Sequence, residues 1–189
     1  LHRRRHSFPT RRSSDLVVPD ERRRRVAQVL QFTLPGAVNL YYGSEVGMEG
    51  GDDPEMRGPM RWDRVHAGHP QLAWTQQLVA LRKTQRALRV GDFRPLVTRE
   101  LFAFERHTER ALESVFVVAN PQDRPVTDLV LVSDSRVMDG SHLVDLLGQG
   151  EPTTVHAALM PVTVPPHTVR VLQHRDMRSD GYSSYKRVP

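Results

Sequence analysis

The chain has 189 residues, a length that accommodates one domain or two small ones. Its composition is 38% hydrophobic and 26% charged, and no apolar run approaches the roughly 18 residues of a membrane span, so a membrane-spanning protein is excluded. The absence of cysteine excludes disulfides and cysteine nucleophiles, and the net charge of +5 makes a nucleic-acid partner one hypothesis to test.

The positive charge is confined to the beginning of the chain. Residues 1–25 contain nine arginines and three acidic residues, which gives +6, so the remaining residues carry −1. Segment Leu1–Leu16 has no helical or strand periodicity, and a basic arm or a targeting peptide is its ordinary interpretation. Its last eleven residues, however, can be reverse-translated into a nucleotide sequence that resembles a common sequencing-library adapter. We therefore predict that residues 1–16 are a non-native, adapter-derived segment and that nucleic acid is not a partner.

The genuine chain is predicted to open with a helix, a strand and a long loop. Asp20-Glu21 begins the helix, because acidic residues in a first turn interact favourably with the helix dipole, and Leu34-Pro35-Gly36 ends it. The apolar run Ala37–Tyr42 between two glycines is typical of a buried strand of a parallel sheet. Gly43–Trp62 is rich in glycine, proline and acidic residues and is too long for a simple connection, which favours a functional loop.

A second amphipathic helix is predicted from Pro70 to about Leu88, where apolar residues recur with a period close to that of an α-helix. After Gly91 the pattern changes to short strands separated by turns, which is typical of a β-sandwich. The predicted strands are Leu101–Glu105, Ser114–Ala119, Leu129–Ser133, His142–Leu147 and Thr168–Gln173.

A composite motif lies in Leu34–Asp63: a Pro-Gly turn, Tyr-Tyr-Gly, a glutamate two residues later, Gly-Met, Gly-Gly, Asp-Pro, and then arginine and Trp-Asp. This pattern resembles the segment around the eighth strand of the α-amylase superfamily of glycoside hydrolases, with particular similarity to its cyclomaltodextrinase, neopullulanase and α-glucosidase members. Leu78–Lys83 and Gly91–Arg94 resemble the last barrel helix and its exit. Pro165–Val169 resembles the end of the family's C-terminal β domain.

The resemblance implies a C-terminal piece of a (β/α)8 TIM barrel followed by an antiparallel β-sandwich domain, so the expected fold class is α/β plus all-β. The expected divisions are 17–93 for the last part of the barrel (helix, strand 8, long loop and final helix), 94–176 for the C-terminal β-sandwich domain, and 177–189 for a tail. Ser44 departs from the aspartate that is usual at its position in the family, whereas Glu45 is retained.

The resemblance also implies an activity for the parent protein. Members of this family hydrolyse α-glucosidic bonds with retention, using an aspartate nucleophile, a glutamate acid/base and a second aspartate. Retention requires two carboxyl groups roughly 5 Å apart. The family's motifs for those residues lie on the fourth, fifth and seventh strands, and none of them occurs in this sequence. We therefore expect a parent glycoside hydrolase acting on maltodextrin-type oligosaccharides or polysaccharides, and a fragment that lacks the catalytic residues and is itself inactive.

Asp53 and Arg57 are the candidate substrate-binding residues. They match the family's Asp-Pro-x-x-Arg in the loop after strand eight, a pair that by resemblance contacts sugar hydroxyls. A carboxylate and a guanidinium suit a polyol, since they offer fixed acceptors and a planar fork of donors. The structural alternative is an ion pair between residues four apart that only stiffens the loop. The two roles are compatible.

Aromatic residues near the motif have two interpretations. Tyr41, Tyr42 and Trp62 could stack on pyranose rings, but aromatics at a strand end are more often packed in a core, and the core interpretation is preferred. Glu45 resembles a catalytic acid by its chemistry alone. We interpret it instead as a residue that holds the strand end through hydrogen bonds.

No metal site or cofactor is predicted for the chain. His66 and His69 flank a helix start without a third ligand nearby, so they are interpreted as loop histidines. Asp52, Asp53 and Glu55 could supply hard oxygen ligands to Ca²⁺, and a Ca²⁺ ion in the parent is an open alternative to a solvated loop.

A different class of function is a non-catalytic carbohydrate-binding or structural β-sandwich module. The sandwich and the missing catalytic residues favour it, whereas the barrel segment would have no purpose in such a module. The expected partner is an α-glucan oligosaccharide substrate, with no nucleic acid and no membrane, and the oligomeric state is not assigned. No signal peptide is visible, which favours a cytoplasmic location, but the true N-terminus of the parent is expected to be missing.

Overall fold

A computed structural model describes residues 20–48 and 58–175 of the chain. Helices come first in this part of the molecule, and strands follow. The α-helices are α1 (Glu21–Thr33), α2 (Pro70–Thr84) and α3 (Arg86–Val90). Short 3-10 turns cover Ser44–Val46, Trp62–Arg64 and Ala111–Glu113.

The strands of the described residues form two antiparallel sheets. The strands are β1 (Asp92–Pro95), β2 (Phe102–His107), β3 (Val115–Asn120), β4 (Val126–Leu131), β5 (His142–Asp145), β6 (Thr153–Thr154), β7 (Leu159–Val164) and β8 (Thr168–His174). The larger sheet has the order β1-β2-β3-β8-β5-β6, and the smaller one pairs β4 with β7.

Helix α1 begins as the sequence predicts. The side chain of Asp20 accepts hydrogen bonds from the backbone N–H groups of Arg22 and Arg23 at 2.9 and 3.1 Å, which satisfies donors that have no partner within the helix. Val29 and Phe32 are buried on the face that meets the large sheet. The cap and the apolar face together give a helix attached to the sheet by its side chains.

The large sheet lies between two apolar cores. One core fills the space between the two sheets and includes Phe116, Met160 and Val162. The other core joins the opposite face of the large sheet to the helices and includes Phe104 and Leu78. The molecule is therefore layered, with helices, a six-stranded sheet and a two-stranded sheet in that order.

The burial pattern of each strand follows from its place in these layers. Every residue of β3 is buried, because β3 is an inner strand covered on both faces. Strand β4 alternates buried and exposed residues, because one face of the small sheet packs on the core and the other faces solvent. The predicted β-sandwich is thus confirmed.

The predicted strand Ala37–Tyr42 is wrong for this structure. Residues 37–41 form no strand, and the chain then turns into the 3-10 segment at Ser44. A parallel barrel strand requires hydrogen bonds from neighbouring strands, and no such neighbour lies beside this segment in the described ranges. An apolar run alone therefore does not make a strand here.

The other differences concern boundaries and short strands. The predicted helix from Pro70 to about Leu88 is divided at Gln85, whose extended backbone (φ −87°, ψ 104°) ends α2 and begins α3. Strands β1, β6 and β7 were not predicted. Strand β7 contains Pro161, which is tolerated because β7 pairs with a single strand and has a free edge.

Within the residues given above, no helix is long and apolar enough to cross a membrane.

Candidate functional site

The two predicted substrate-binding residues, Asp53 and Arg57, lie outside the described residues. Their contact with sugar hydroxyls, and the ion pair between them, therefore stay predictions. The same holds for the acidic cluster with Asp52 and Glu55. We call residues 49–57 the motif loop. The structure describes both of its flanks, which are residues 41–48 and 58–65.

The first flank is a tight turn that requires glycine at two positions. Gly43 and Gly47 have φ angles of +86° and +64°, a region that residues with a side chain rarely adopt. A Cβ atom at Gly43 would lie 2.5 Å from the Sδ atom of Met48, so the turn also has no room for a side chain there. Between the glycines, Ser44 and Val46 are buried. The glycines of the motif are thus explained by backbone geometry.

Helix α2 and the second flank hold this turn in place. The guanidinium of Arg64 donates to the carbonyl oxygen of Gly47 at 2.8 Å, and the hydroxyl of Thr75, which donates to the carbonyl oxygen of Gln71 at 3.0 Å, lies 3.5 Å from that of Glu45. A further bond from the side chain of Gln71 to that of Gln28, at 3.2 Å, ties α2 to α1. The start of the loop is therefore bonded to the second flank and lies beside α2.

One contact joins the two ends of the loop directly. The hydroxyl of Tyr42 donates to the carbonyl oxygen of Gly58 at 3.0 Å, across sixteen positions of sequence. The ring of Tyr41 lies 4.7 Å from that of Tyr42, centroid to centroid. The two described flanks of the loop are therefore joined by a hydrogen bond.

The aromatic residues beside the loop are more accessible than the sequence predicts. Trp62 is 74% exposed and Tyr42 is 43% exposed. The core interpretation is wrong for these two residues, since no neighbouring element covers them in the part of the chain that is described. Exposed aromatic rings of this kind can stack on the apolar face of a sugar.

The two residues on either side of Trp62 form an ion pair. The guanidinium of Arg61 donates to both carboxylate oxygens of Asp63 at 2.9 and 2.7 Å. These bonds favour the ionised carboxylate and lower the pKa of Asp63 to about 2. Asp63 is therefore an ionised acceptor at physiological pH.

The predicted role of Glu45 in hydrogen bonding has no side-chain support among the described residues, whereas the two histidines lie at the start of α2. The carboxylate of Glu45 makes no hydrogen bond to the residues that the structure describes, and its backbone carbonyl oxygen lies 3.5 Å from the hydroxyl of Thr75. His69 caps α2, because its Nδ1 atom accepts from the backbone N–H of Leu72 at 3.4 Å. The ring of His66 meets the ring of His69 edge to face at 5.7 Å. No cluster of three or more potential metal ligands occurs in residues 20–48 and 58–175.

A cleft of about 250 Å³ lies between α1 and the beginning of β8. Its lining includes Arg25 and Trp74, with the guanidinium carbon of Arg25 5.7 Å from the centroid of the Trp74 ring. None of residues 37–48 and 58–65 lines it. The cleft is therefore separate from both described flanks of the loop.

Sequence reasoning missed the arginines that anchor the region before the loop. Helical periodicity in the sequence places Arg82 apart from the apolar residues of the second helix, but its guanidinium donates to the carbonyl oxygen of Phe32 at 2.6 Å. The buried Arg106 donates to the carbonyl oxygen of Thr33 at 2.7 Å. A signal existed, because α1 has no basic residue in its last turn and its final carbonyl groups need donors from elsewhere.

Comparison with known proteins gives similarities over most of the chain. A cyclomaltodextrinase from Geobacillus thermopakistaniensis is 33% identical over 149 residues, which are 78% of this chain and 24% of that protein. Neopullulanase 2 from Thermoactinomyces vulgaris is 31% identical over 119 residues, which are 61% of this chain and 20% of that protein. No family model matches the chain.

The fold has solved counterparts. The structure of an α-amylase from Geobacillus thermoleovorans, complexed with acarbose, matches with a TM-score of 0.70 at 20% identity and covers 84% of this chain and 34% of that one. The chain spans about a fifth to a quarter of the length of the two curated relatives. The sequence motif, the layered fold and these similarities agree, and the chain is similar to a part of a protein of the α-amylase family.

Proposed function

We propose that this chain is a non-catalytic portion of a retaining glycoside hydrolase that acts on α-glucosidic bonds of maltodextrin-type oligosaccharides or polysaccharides. The observation that carries the proposal is the 33% identity over 149 residues to a cyclomaltodextrinase. In this proposal residues 17–93 belong to the barrel, residues 94–176 form the C-terminal β domain, and residues 177–189 are a tail.

The role proposed for the chain is to present one substrate-contacting loop. Asp53 would accept hydrogen bonds from sugar hydroxyls, and Arg57 would donate to them. The flanks support this role, because Tyr42 and Arg64 hold the two described ends of the loop beside each other. The exposed ring of Trp62 beside the loop offers an apolar surface for a pyranose ring.

The chemistry itself would come from other parts of the parent. A retaining mechanism requires a nucleophilic carboxylate and an acid/base carboxyl group about 5 Å apart. The family motifs that supply these groups are missing from this sequence. We therefore expect no turnover of maltotriose or cyclodextrins by the purified chain above that of a mock purification.

A chimera tests the proposal. Residues 20–175 would replace the matched part of the Geobacillus thermopakistaniensis cyclomaltodextrinase, and hydrolysis of maltotriose would be measured. We expect turnover, and we expect Asp53→Ala to lower kcat/KM by about tenfold to a hundredfold, because a hydrogen bond to a charged group is lost. Asp52→Ala is the matched control and should stay within about twofold of the parent chimera.

Two outcomes would contradict the proposal. A folded chimera without activity would contradict the assignment of the chain to a hydrolase of this kind. An active chimera in which Asp53→Ala and Asp52→Ala behave alike would leave the hydrolase assignment in place and remove the substrate contact. A circular dichroism spectrum and a melt of each variant separate both outcomes from misfolding.

The alternative of a separate carbohydrate-binding module has less support. The large sheet is covered on one face by the helices and on the other by the small sheet, so neither face offers a platform for a glucan chain. Retention of the full chain on insoluble starch, with bovine serum albumin as the control, would favour the module over our proposal.

A further inference from the structure

Helix α1 ends without its own source of hydrogen-bond donors. The last carbonyl groups of any α-helix lack partners within the helix, and they carry the negative end of the helix dipole. No basic residue lies in the last turn of α1. The backbone N–H of Leu34 donates to the carbonyl oxygen of Leu30 at 2.8 Å, which satisfies one of these acceptors. The others need donors from elsewhere in the fold.

Arg82 of α2 supplies the first set of donors. Its Nη1 atom donates to the carbonyl oxygen of Phe32 at 2.6 Å and lies 3.4 Å from that of Leu34. Its Nη2 atom donates to the carbonyl oxygen of Gly36. One guanidinium fork therefore holds three carbonyl groups at and just beyond the end of α1.

Arg106 of β2 supplies the second set from the opposite side. Its Nη1 atom donates to the carbonyl oxygen of Thr33 at 2.7 Å, and its Nη2 atom donates to that of Gly91 at 2.8 Å. Gly91 follows α3 directly, and a Cβ atom there would lie only 2.5 Å from the carbonyl oxygen of Ala87. Arg106 thus bridges the ends of two helices from within the β domain.

Both arginines hold their charge without a carboxylate partner. Neither forms an ion pair with any residue in the described ranges, although Arg106 is only 2% exposed. Burial lowers the pKa of Arg106 and that of Arg82, and the charge of Arg82 lowers the pKa of Arg106 further, whereas the carboxylate of Asp92, which does not bond to Arg106, raises it. Buried charges are normally paired. Placing two neighbouring cations against carbonyl groups costs electrostatic free energy. We interpret this arrangement by the backbone geometry that the two arginines hold.

The geometry that they impose is that of the segment leading to the motif loop. Gly36 has a φ angle of +104°, so the chain changes direction there. The side chain of Gln31 then donates to the carbonyl oxygen of Asn39 at 2.8 Å and guides the segment back along α1. Residues 34–48 follow from this fixed point and continue into residues 49–57.

We propose that Arg82 and Arg106 form a clamp that positions residues 34–48, and that Arg106 is a positioning residue which the β domain contributes to this segment. The proposed contact of the motif loop with substrate rests on the function proposed above. The clamp itself concerns the backbone and does not depend on that function.

Hydrogen exchange of the full 189-residue chain tests the clamp. In Arg106→Met the apolar side chain keeps its length but cannot donate. We expect the protected amides of Ser44, Val46 and Met48 to exchange about tenfold faster, because hydrogen bonds from a charged group are lost. Val162→Ala is the matched control. It destabilises the chain from the core between the sheets and should leave these three amides unchanged relative to the rest of the chain.

Two further variants keep the test decisive. Arg106→Lys retains a cationic donor and should restore part of the protection, with exchange rates between those of the parent chain and Arg106→Met. Arg82→Met removes the other half of the clamp from a less buried position and should accelerate the same amides, which decides the case if Arg106→Met does not fold. Exchange that rises equally in Arg106→Met and Val162→Ala, or that is unchanged in Arg82→Met, would overturn the proposal. No sugar is used, so failure of the clamp is distinct from failure of the proposed function.

Discussion

Each face of the large sheet contains a buried arginine, and the two arginines have different hydrogen-bond partners. On the face toward the small sheet, the side chain of Arg170 is 3% exposed and donates to the carboxylate of Asp145 at 3.0 Å, with Asp145 itself 1% exposed. On the face toward the helices, Arg106 is equally buried but bonds to carbonyl groups alone. A carboxylate neutralises charge, whereas a carbonyl group only orients a dipole toward it. Arg170 also donates to the carbonyl oxygens of Thr163 and Glu151, so both arginines hold backbone, and the difference is that only the sandwich arginine has a carboxylate partner among the described residues.

The sandwich face also contains titratable groups at one end. The carboxylate of Glu105 is fully buried and accepts from Arg94 at 3.0 Å, and that of Asp134 accepts from Arg136 at 2.6 Å. Burial raises the pKa of Glu105, whereas the bond from Arg136 lowers the pKa of Asp134. The clamp contains only arginines and carbonyl groups, which do not titrate in the ordinary pH range. The two faces should therefore respond differently to mutation and to pH.

The largest expected effect comes from breaking the ion pair of the sandwich. Asp145→Ala leaves Arg170 buried without a countercharge, so we expect the free energy of unfolding to fall by about 3–5 kcal/mol. Urea denaturation followed by circular dichroism measures this change. The double variant Asp145→Leu/Arg170→Met should recover most of the loss, since no isolated charge is left behind. A single variant that unfolds like the parent chain would show that the pair contributes nothing to folding.

Removal of the clamp arginine should have a smaller effect on global stability. Arg106→Met leaves two carbonyl groups without a donor but also removes an unpaired buried charge, so we expect a net loss of about 2 kcal/mol. The loss should not change between pH 5 and pH 9, because neither partner titrates there. The comparison between the faces breaks down if Arg106→Met is as destabilising as Asp145→Ala.

Much of the fold could be predicted from the sequence because the signals are local. The acidic cap at Asp20, the helical period after Pro70 and the turns between strands each depend on a few adjacent residues. Strand β7 was missed because Pro161 argues against a strand unless the strand is known to lie at an edge. Likewise, Ala37–Tyr42 has the composition of a strand, but strand formation depends on neighbours that composition does not reveal.

The candidate site was less predictable, since its geometry depends on distant residues. The family resemblance identified the loop with Asp53 and Arg57, and the glycines of the motif fit the tight turn that the structure contains. The clamp joins residues up to 73 positions apart. It becomes visible only in the structure, where Arg106 is buried on the same face of β2 as Phe104. Helical periodicity places Arg82 apart from the apolar residues of its helix, because periodicity carries no information about carbonyl groups on another helix.

The pH dependence of Glu105 sharpens the contrast between the faces. Because burial raises the pKa of this carboxyl group in the folded state, its contribution to stability is fully present at low pH and is lost as the pH rises through that value. Glu105→Gln stays uncharged, so its stability relative to the parent chain should increase from pH 4 to pH 8 in urea denaturation. Glu109→Gln is the control with the opposite sign, since a bond to its own backbone N–H and one from Arg86 lower the pKa of Glu109. A constant difference for Glu105→Gln across this range would contradict the assignment.

The smallest effect on stability is expected at the exposed pair beside the motif loop, which provides the reference for both buried sites. Arg61 and Asp63 are about half exposed, so water screens their attraction and Arg61→Ala should not change the melting temperature measurably. The pKa of Asp63 should nevertheless rise from about 2 toward the ordinary aspartate value, because the two bonds from Arg61 are its main cause. An NMR titration of the Asp63 carboxyl carbon measures this shift. If the pKa moves while the melting temperature does not, the pair must also lower the pKa of this carboxyl group in the unfolded chain, since a pKa that differed between the two states would change stability. Arg61 and Asp63 are two residues apart, so their contact can form without the fold, and the effects of Asp145→Ala and Arg106→Met can be attributed to burial.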